Sequence, residues 1–238
     1  MKQDKSRDLI NGDIAESLKR MTVPMIIGMI MMMSFGLIDT FFVSLLGTEP
    51  LAAISFTFPV TFTLISLNIG LGIGTSAVIA RLAGQGKQDG ARETGSGALM
   101  LSFIMVGILA LCGGLSIDFV FQLLGAQQHL MPHIHDYMEI WYFASVFLAM
   151  PMVGNSILRA RGDTKTPSII MATGGGINAL LDPLFIFGLG PVPAMGIGGA
   201  ALATLISWIV CSVWILYLLA RQRNYILPRL LTVKELAE

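Results

Sequence analysis

Charged residues are scarce in this chain of 238 residues. Asp, Glu, Lys and Arg together make up 13% of it, against a usual share of about 25% in soluble domains. The fifteen basic residues are balanced by fifteen acidic ones, so the chain lacks the excess of positive charge with which proteins neutralise nucleic-acid phosphates. These two deficits exclude an ordinary soluble domain and argue against nucleic acid as a partner.

Cysteine is also rare, and the N-terminus lacks the features of a cleavable signal peptide. Cys112 and Cys211 both lie inside apolar stretches, where a free thiol behaves as a small hydrophobic side chain, so no disulfide framework is predicted.

The first 20 residues are polar and mixed in charge. They lack the short apolar core and the small-residue cleavage site of a secretory signal peptide. We therefore expect residues 1–20 to form a cytoplasmic N-terminal segment.

Apolar residues, by contrast, make up 54% of the chain, and 26 residues are glycine. The apolar residues form six long runs, at residues 21–46, 51–80, 98–117, 141–158, 168–189 and 196–220. Most of these runs reach the roughly 20 residues that a helix needs to cross about 30 Å of hydrocarbon. The pattern predicts an all-α polytopic membrane protein. Its six transmembrane helices occupy residues 21–221, and residues 222–238 form a cytoplasmic tail or linker.

The Lys and Arg residues all lie on one side of this predicted bundle. They occur in the N-terminal segment, in the loops at residues 81–92 and 159–165, and in the tail. The opposite loops, at residues 47–50, 125–136 and 190–194, contain none. Because cytoplasmic loops are enriched in Lys and Arg, the sequence predicts a cell-membrane protein with both termini in the cytoplasm.

Two acidic residues fall inside the apolar runs. Asp39 lies in the first run and Asp182 in the fifth, where an ionised carboxylate costs several kcal/mol unless it is paired or hydrated. Counted from the cytoplasmic ends of their helices, the two residues lie about 27 Å and about 24 Å along the helix axis, at 1.5 Å per residue. Both carboxylates are therefore predicted to lie at one level, in the outer half of the bilayer.

Two further polar side chains are predicted to share that level. Asn178 precedes Asp182 by four residues and so lies on the same helix face, and Thr204 lies about 12 Å below the outer end of the sixth helix. We predict a cation-binding site with four members, Asp39, Asn178, Asp182 and Thr204. Its two carboxylates cannot both ionise cheaply, so the site takes up a proton near neutral pH. The alternative is an interhelical hydrogen-bond cluster that only holds the bundle together.

Two prolines fall inside predicted helices. Pro183 directly follows Asp182, and Pro24 lies near the start of the first helix. Because proline removes a backbone hydrogen bond from a helix, both positions are predicted to bend their helices. A bend beside an intramembrane acid could respond to protonation, and a purely structural kink is the alternative.

Three histidines cluster in one predicted outer loop. His129 and His133 are four residues apart and His135 follows them, a spacing that could hold a metal ion on a helix. Pro132 intervenes, however, and cysteine partners are missing. We predict no metal site.

Four stretches of the sequence form a recognisable set. They are Asp39 in the first run; Arg81, Gly84, Gly86 and Lys87 after the second; Leu158-Arg159-Ala160-Arg161-Gly162-Asp163-Thr164-Lys165-Thr166-Pro167 after the fourth; and Asn178-Ala179-Leu180-Leu181-Asp182-Pro183 in the fifth. Together they resemble the multidrug and toxic compound extrusion (MATE) transporters, a likeness that extends over nearly all of the chain. It implies twelve helices in two six-helix lobes, of which this chain is similar to the N-terminal one.

The resemblance also implies roles for particular residues. Asp39, Asn178, Asp182 and Thr204 would bind H⁺ or Na⁺, and Pro24 would lie in a helix that bends. Residues 222–238 would then form an interlobe linker. The substrate cavity would lie between two lobes in the lipid bilayer, so the expected partner is the missing C-terminal lobe or a second copy of this chain.

These expectations combine into one predicted function. We expect an antiporter, driven by H⁺ or Na⁺, that exports amphipathic, cationic organic compounds, and not an enzyme. The sequence contains no Walker A motif, so we expect no ATP and no cofactor besides the coupling ion.

Two alternatives stay open. A lipid-linked oligosaccharide flippase of the same wider superfamily would need a basic cavity for pyrophosphate, whereas every Lys and Arg lies outside the apolar runs. An intramembrane aspartyl protease would share one proton between two acids. Asp39, however, follows Gly36-Leu37-Ile38 instead of the Gly-x-Gly or Tyr context of that family.

Overall fold

The structure is a computed structural model that describes residues 14–188 and 192–227. Over those residues it consists of helices joined by short turns, with no strand. We number its seven α-helices α1 (Ile14–Ser44), α2 (Thr48–Gly84), α3 (Gln88–Leu115), α4 (Ile117–Leu123), α5 (Met131–Ala160), α6 (Lys165–Phe187) and α7 (Gly196–Tyr217). A 3₁₀ turn leads into α5, and α7 continues into a π-helical turn at Leu218–Gln222.

Six of these helices are long, and the predicted all-α fold is confirmed. Among the described residues, α2, α3, α5, α6 and α7 are long and apolar enough to cross a membrane, and α1 contains 31 residues. The helices extend beyond the apolar runs, since α1 begins at Ile14 rather than Met21 and only residues 85–87 separate α2 from α3. The reason is that helical hydrogen bonds join backbone groups and need no apolar side chain.

Helix α5 lies at the centre of the lobe. It packs against α2, α3 and α7, whereas α1 packs mainly against α6, and α6 also packs against α7. Around α5, apolar side chains form two buried clusters, one containing Phe121 and Ile134 and the other Ile157 and Leu219. The first cluster lies at the acid-rich end of the bundle, which we define by turns without Lys or Arg, and the second lies at the opposite, basic end.

The chain after α7 folds back across the basic end. The Arg223 guanidinium donates a hydrogen bond of 2.8 Å to Asp163 in the turn between α5 and α6. The backbone N–H of Leu227 donates one of 2.7 Å to the Ser96 hydroxyl on α3. We call residues 223–227 the strap.

Two aromatic and apolar contacts complete the strap. The Arg161 guanidinium lies 4.2 Å from the centre of the Tyr225 ring, a cation–π distance, and Ile226 is buried in the core of the basic end. The first part of the predicted tail is therefore docked on the lobe. Residues 1–13 of the predicted N-terminal segment and residues 228–238 of the predicted tail lie outside the described residues.

Helices α6 and α7 come close together at Gly199. A Cβ atom built on this glycine would lie 2.5 Å from the carbonyl oxygen of Phe185 and 2.9 Å from the backbone nitrogen of Ile186. Both of these atoms belong to the helix backbone, so neither can move away by a side-chain rotation. Small residues allow helix backbones to approach in this way, and Gly199 is required for the packing of α6 on α7.

We expect Gly199→Ala to destabilise the chain by about 1–3 kcal/mol, the usual cost of overpacking. The measurement is the midpoint of thermal unfolding in detergent, followed by circular dichroism. Gly176→Ala on α6 is the matched control, because a Cβ there would meet nothing within 4 Å. A midpoint for Gly199→Ala at or above that of the control would contradict the close approach.

Candidate functional site

The four residues predicted to bind a cation lie together inside the lobe. Asp39 is on α1, Asn178 and Asp182 are one turn apart on α6, and Thr204 is on α7. All four are buried, with exposed fractions of 9%, 0%, 0% and 3% in that order. They meet because α6 packs against both α1 and α7.

Three interactions link these four side chains, one of which is the effect of the Asn178 side chain on the Asp182 carboxyl group. Asn178 Nδ2 donates a hydrogen bond of 3.1 Å to Thr204 Oγ1. The carboxyl groups of Asp39 and Asp182 are near enough to interact electrostatically. The structure thus brings the predicted residues together, while their role in binding a cation stays a prediction.

Four oxygen atoms of this cluster have no hydrogen-bond partner among the described residues. They are Asp39 Oδ1, Asn178 Oδ1 and both carboxylate oxygens of Asp182, and all four are buried. Buried polar atoms are normally paired, because an unpaired one costs about 1–3 kcal/mol. Carboxylate and amide oxygens are ligands of hard cations, and a pair of carboxylates can share a proton. The cluster therefore offers suitable oxygen ligands to Na⁺ or H⁺.

Tyr137 is a neighbour of the cluster that the sequence interpretation missed. It is buried on α5, and both Asp39 and Asp182 act on it electrostatically. The sequence placed it just outside the fourth apolar run, which begins at Trp141. One feature of the sequence could have identified it. Tyr137 precedes Trp141 by four residues and thus lies on the same face of the helix.

A cavity of about 220 Å³ adjoins the cluster. It opens among α1, α2, α5, α6 and α7, and Asp39 and Thr204 line it. Asn178 and Asp182 do not belong to its lining. Of the two carboxyl groups, that of Asp39 is therefore the one in contact with the cavity, and Asp182 lies behind it.

The cavity wall combines aromatic rings with hydroxyl groups. Trp141 and Trp208 meet edge to face, with ring centres 6.1 Å apart. The hydroxyl groups of Thr40, Thr57 and Thr61 donate to carbonyl groups of their own helices at 2.8–3.1 Å, so their oxygen lone pairs stay available as acceptors. Within the described part of the chain, no Lys or Arg lines the cavity. Such a wall suits an amphipathic organic molecule and provides no basic group for a pyrophosphate.

The two prolines predicted to bend helices both lie within continuous helices. Pro24 is part of α1, and Pro183 is part of α6, which continues to Phe187. At Pro183 a backbone hydrogen bond to Ala179 is necessarily absent, because proline has no N–H. This gap in the helix ladder lies directly after Asp182, and bending at either proline stays a prediction.

The comparisons with known proteins all indicate the same family. The MatE family model matches residues 24–184 of the chain. The FAD transporter of Shewanella oneidensis (strain MR-1) is 48% identical over 202 residues, which are 85% of this chain and 45% of that protein. The probable multidrug resistance protein YoeA of Bacillus subtilis (strain 168) is 30% identical over 179 residues, which are 75% of this chain and 39% of that protein.

Solved structures show the same likeness. One of them is the outward-facing conformation of a multidrug resistance MATE family transporter of the MOP superfamily. The alignment covers 100% of this chain and 52% of the transporter chain, with 34% identity and a TM-score of 0.87. MATE in the straight conformation and MATE in the bent conformation each give 34% identity and a TM-score of 0.86. The alignment with the straight conformation covers 99% of this chain and 51% of that chain, and the alignment with the bent conformation covers 98% and 52%.

The chain spans about half the length of these relatives. The relatives are named as transporters or multidrug resistance proteins, so the prediction that the chain is not an enzyme is confirmed and the aspartyl protease alternative is wrong. The long apolar helices indicate a multi-pass membrane protein. From these helices and the match over residues 24–184, we conclude that the chain belongs to the MatE family of transporters.

Proposed function

We propose that this chain is the N-terminal half of a cation-coupled exporter of amphipathic organic compounds, and that H⁺ or Na⁺ binds at Asp39, Asn178, Asp182 and Thr204. The observation that carries this proposal is the set of four buried oxygen atoms without a partner among the described residues. A bound proton or sodium ion would satisfy them. A cluster that only held the bundle together would instead be expected to pair its own oxygens.

Asp39 offers a physical basis for coupling, because it belongs to both the ion cluster and the cavity wall. An ion bound there neutralises a carboxylate that a cationic substrate would otherwise approach. Ion and substrate would then disfavour each other, which is the difference in affinity that exchange of one for the other requires. In this proposal the exporter is an antiporter.

We predict that both ends of the chain are cytoplasmic, because all Lys and Arg residues fall in the two terminal segments and in the stretches at residues 81–92 and 159–165, and cytoplasmic segments are enriched in these residues. Single cysteines at Thr48 and Gln127 should react with a membrane-impermeant thiol reagent added to intact cells, and single cysteines at Gln88 and Lys165 should not. The background is a variant in which the exposed native Cys112 is replaced by serine. Labelling of position 88 in intact cells would reverse the proposed orientation.

We predict that a coupling ion stabilises the purified chain against heat. Binding to the folded state at a hundredfold excess over the dissociation constant adds about 2.7 kcal/mol, which raises the unfolding midpoint by several degrees in a chain of this size. If the ion is Na⁺, the rise appears when Na⁺ replaces choline at constant ionic strength. If the ion is H⁺, it appears on acidification without Na⁺.

Asp39→Asn and Asp182→Asn should remove this rise, because an amide cannot carry the charge that holds the ion. Asp89→Asn is the control, since Asp89 is exposed on α3 and pairs only locally with Arg92 at 3.2 Å. Full retention of the ion response in Asp39→Asn would refute the ion site and favour a purely structural cluster.

A flavin nucleotide is a second candidate substrate. The relative with 48% identity is named an FAD transporter, and the rings of Trp141 and Trp208 provide the aromatic surface that a planar ring system contacts. The diphosphate of FAD is anionic and would be repelled by an ionised Asp39. Export of FAD would therefore need Asp39 to be neutralised first, the opposite of what a cationic substrate needs.

We predict that the 238-residue chain, reconstituted alone in lipid vesicles, moves neither a cationic dye nor FAD when an ion gradient is imposed. In the proposal the path of the substrate lies between two lobes, and this chain supplies only one of them. The same transport assay is then run on vesicles that contain the chain fused to a matching second lobe. That assay shows which of the two substrate classes is transported. Gradient-dependent movement by the chain alone would show that it acts as a complete transporter, for instance as a homodimer.

A further inference from the structure

His135 lies between two carboxylates at the acid-rich end of the lobe. Its Nε2 atom is 3.0 Å from Asp118 Oδ1 on the short helix α4. Its Nδ1 atom is 3.1 Å from Glu139 Oε1, one turn further along α5. The imidazole side chain is one-third exposed, and it lies in the first turns of α5, ahead of the apolar run that begins at Trp141.

The two contacts together require a particular protonation state. A neutral imidazole carries one N–H and can donate to only one of the two carboxylates, which leaves the other facing a nitrogen lone pair. The imidazolium ion carries two N–H groups and can donate to both. Histidine binds a proton more tightly than a carboxylate does, with ordinary pKa values near 6.5 and near 4, so between these pH values the extra proton belongs on the ring.

The surroundings offer the histidine acidic partners and no competing cation. A second histidine at this end, His133, lies 3.9 Å from Glu49 at the start of α2. Asp136 and His129 form no hydrogen bond or ion pair with His135 within the described residues. The turns at this end contain no Lys or Arg, so they offer no permanent positive charge to replace the imidazolium.

Asp118 belongs to an element with few other attachments. Helix α4 has only seven residues and is held to the lobe by Ile117 and Phe121, which are buried in the core of the acid-rich end. Its remaining face is exposed at Phe119 and Leu123. The contact of Asp118 with His135 is the ion pair that the described structure shows between α4 and α5.

We propose that Asp118, His135 and Glu139 form a proton-operated clamp that holds α4 against α5 when its compartment is acidic and releases it when the compartment is alkaline. The clamp stabilises α4 where the imidazolium is formed, and the stabilisation is lost as the pH rises through the range, about 5 to 8, in which histidine loses its charge. This device is separate from the proposed ion site. Asp39 and Asp182 have no part in it.

Hydrogen exchange of the purified 238-residue chain in detergent tests the clamp. The reporters are backbone N–H groups of α4 and the turn after it, which bond locally at Val120, Leu124, Gly125 and Ala126. After correction for intrinsic exchange rates, their protection should fall about twofold to fivefold between pH 5.5 and pH 8, the size expected for the one partly exposed charged contact, Asp118 with His135, that joins α4 to α5. Protection of α7 serves as the internal reference for global stability and should not fall in parallel.

Two variants assign the effect to the clamp. His135→Gln should show low, pH-independent protection of α4, and Asp118→Asn should lose most of the pH dependence because the ring then faces a neutral amide. His129→Gln is the matched control and should behave as the wild-type chain does. Constant protection of wild-type α4 from pH 5.5 to pH 8, or an equal fall in His135→Gln, would overturn the proposal without bearing on the ion site.

Discussion

The rest of this lobe depends on the cost of keeping two carboxyl groups away from water. An ionised carboxylate in an apolar interior costs several kcal/mol unless a partner compensates it, and Asp182 is fully enclosed by its own lobe. The buried polar side chains of this region, Asp39, Asn178 and Thr204, lie where α1, α6 and α7 converge. The packing of these helices and the charge state of the cluster therefore depend on each other.

The helices on the two sides of the cluster are enclosed by their neighbours to different degrees. Helix α5 is surrounded by α2, α3 and α7 and presents Tyr137 from a buried position. Helix α1 packs mainly on α6 alone, and large side chains such as Leu37 and Phe41 on it are exposed. A change of charge at Asp39 thus acts on a helix with less packing to lose than α5, which forms the opposite wall.

Much of this could be predicted from the sequence because membranes impose strong local rules. Charge is so costly in an apolar run that Asp39 and Asp182 were identifiable singly, and the four-residue spacing within α6 placed Asn178 beside Asp182. Contacts between distant segments leave no such periodic signal. Arg223 pairs with Asp163 across 60 residues and His135 with Asp118 across 17, and Tyr137 joined the cluster from beyond the end of its apolar run.

The strap changes how force would pass through the protein. The chain does not leave the lobe at the end of α7, since Arg223, Tyr225 and Leu227 are each held at the basic end. A pull on the polypeptide beyond Leu227 would be borne first by α3 and by the turn between α5 and α6. Helix α7, which carries Thr204, would be shielded from that load. The mechanical connection to the residues after Leu227 therefore bypasses the helix that contributes Thr204 to the buried polar cluster.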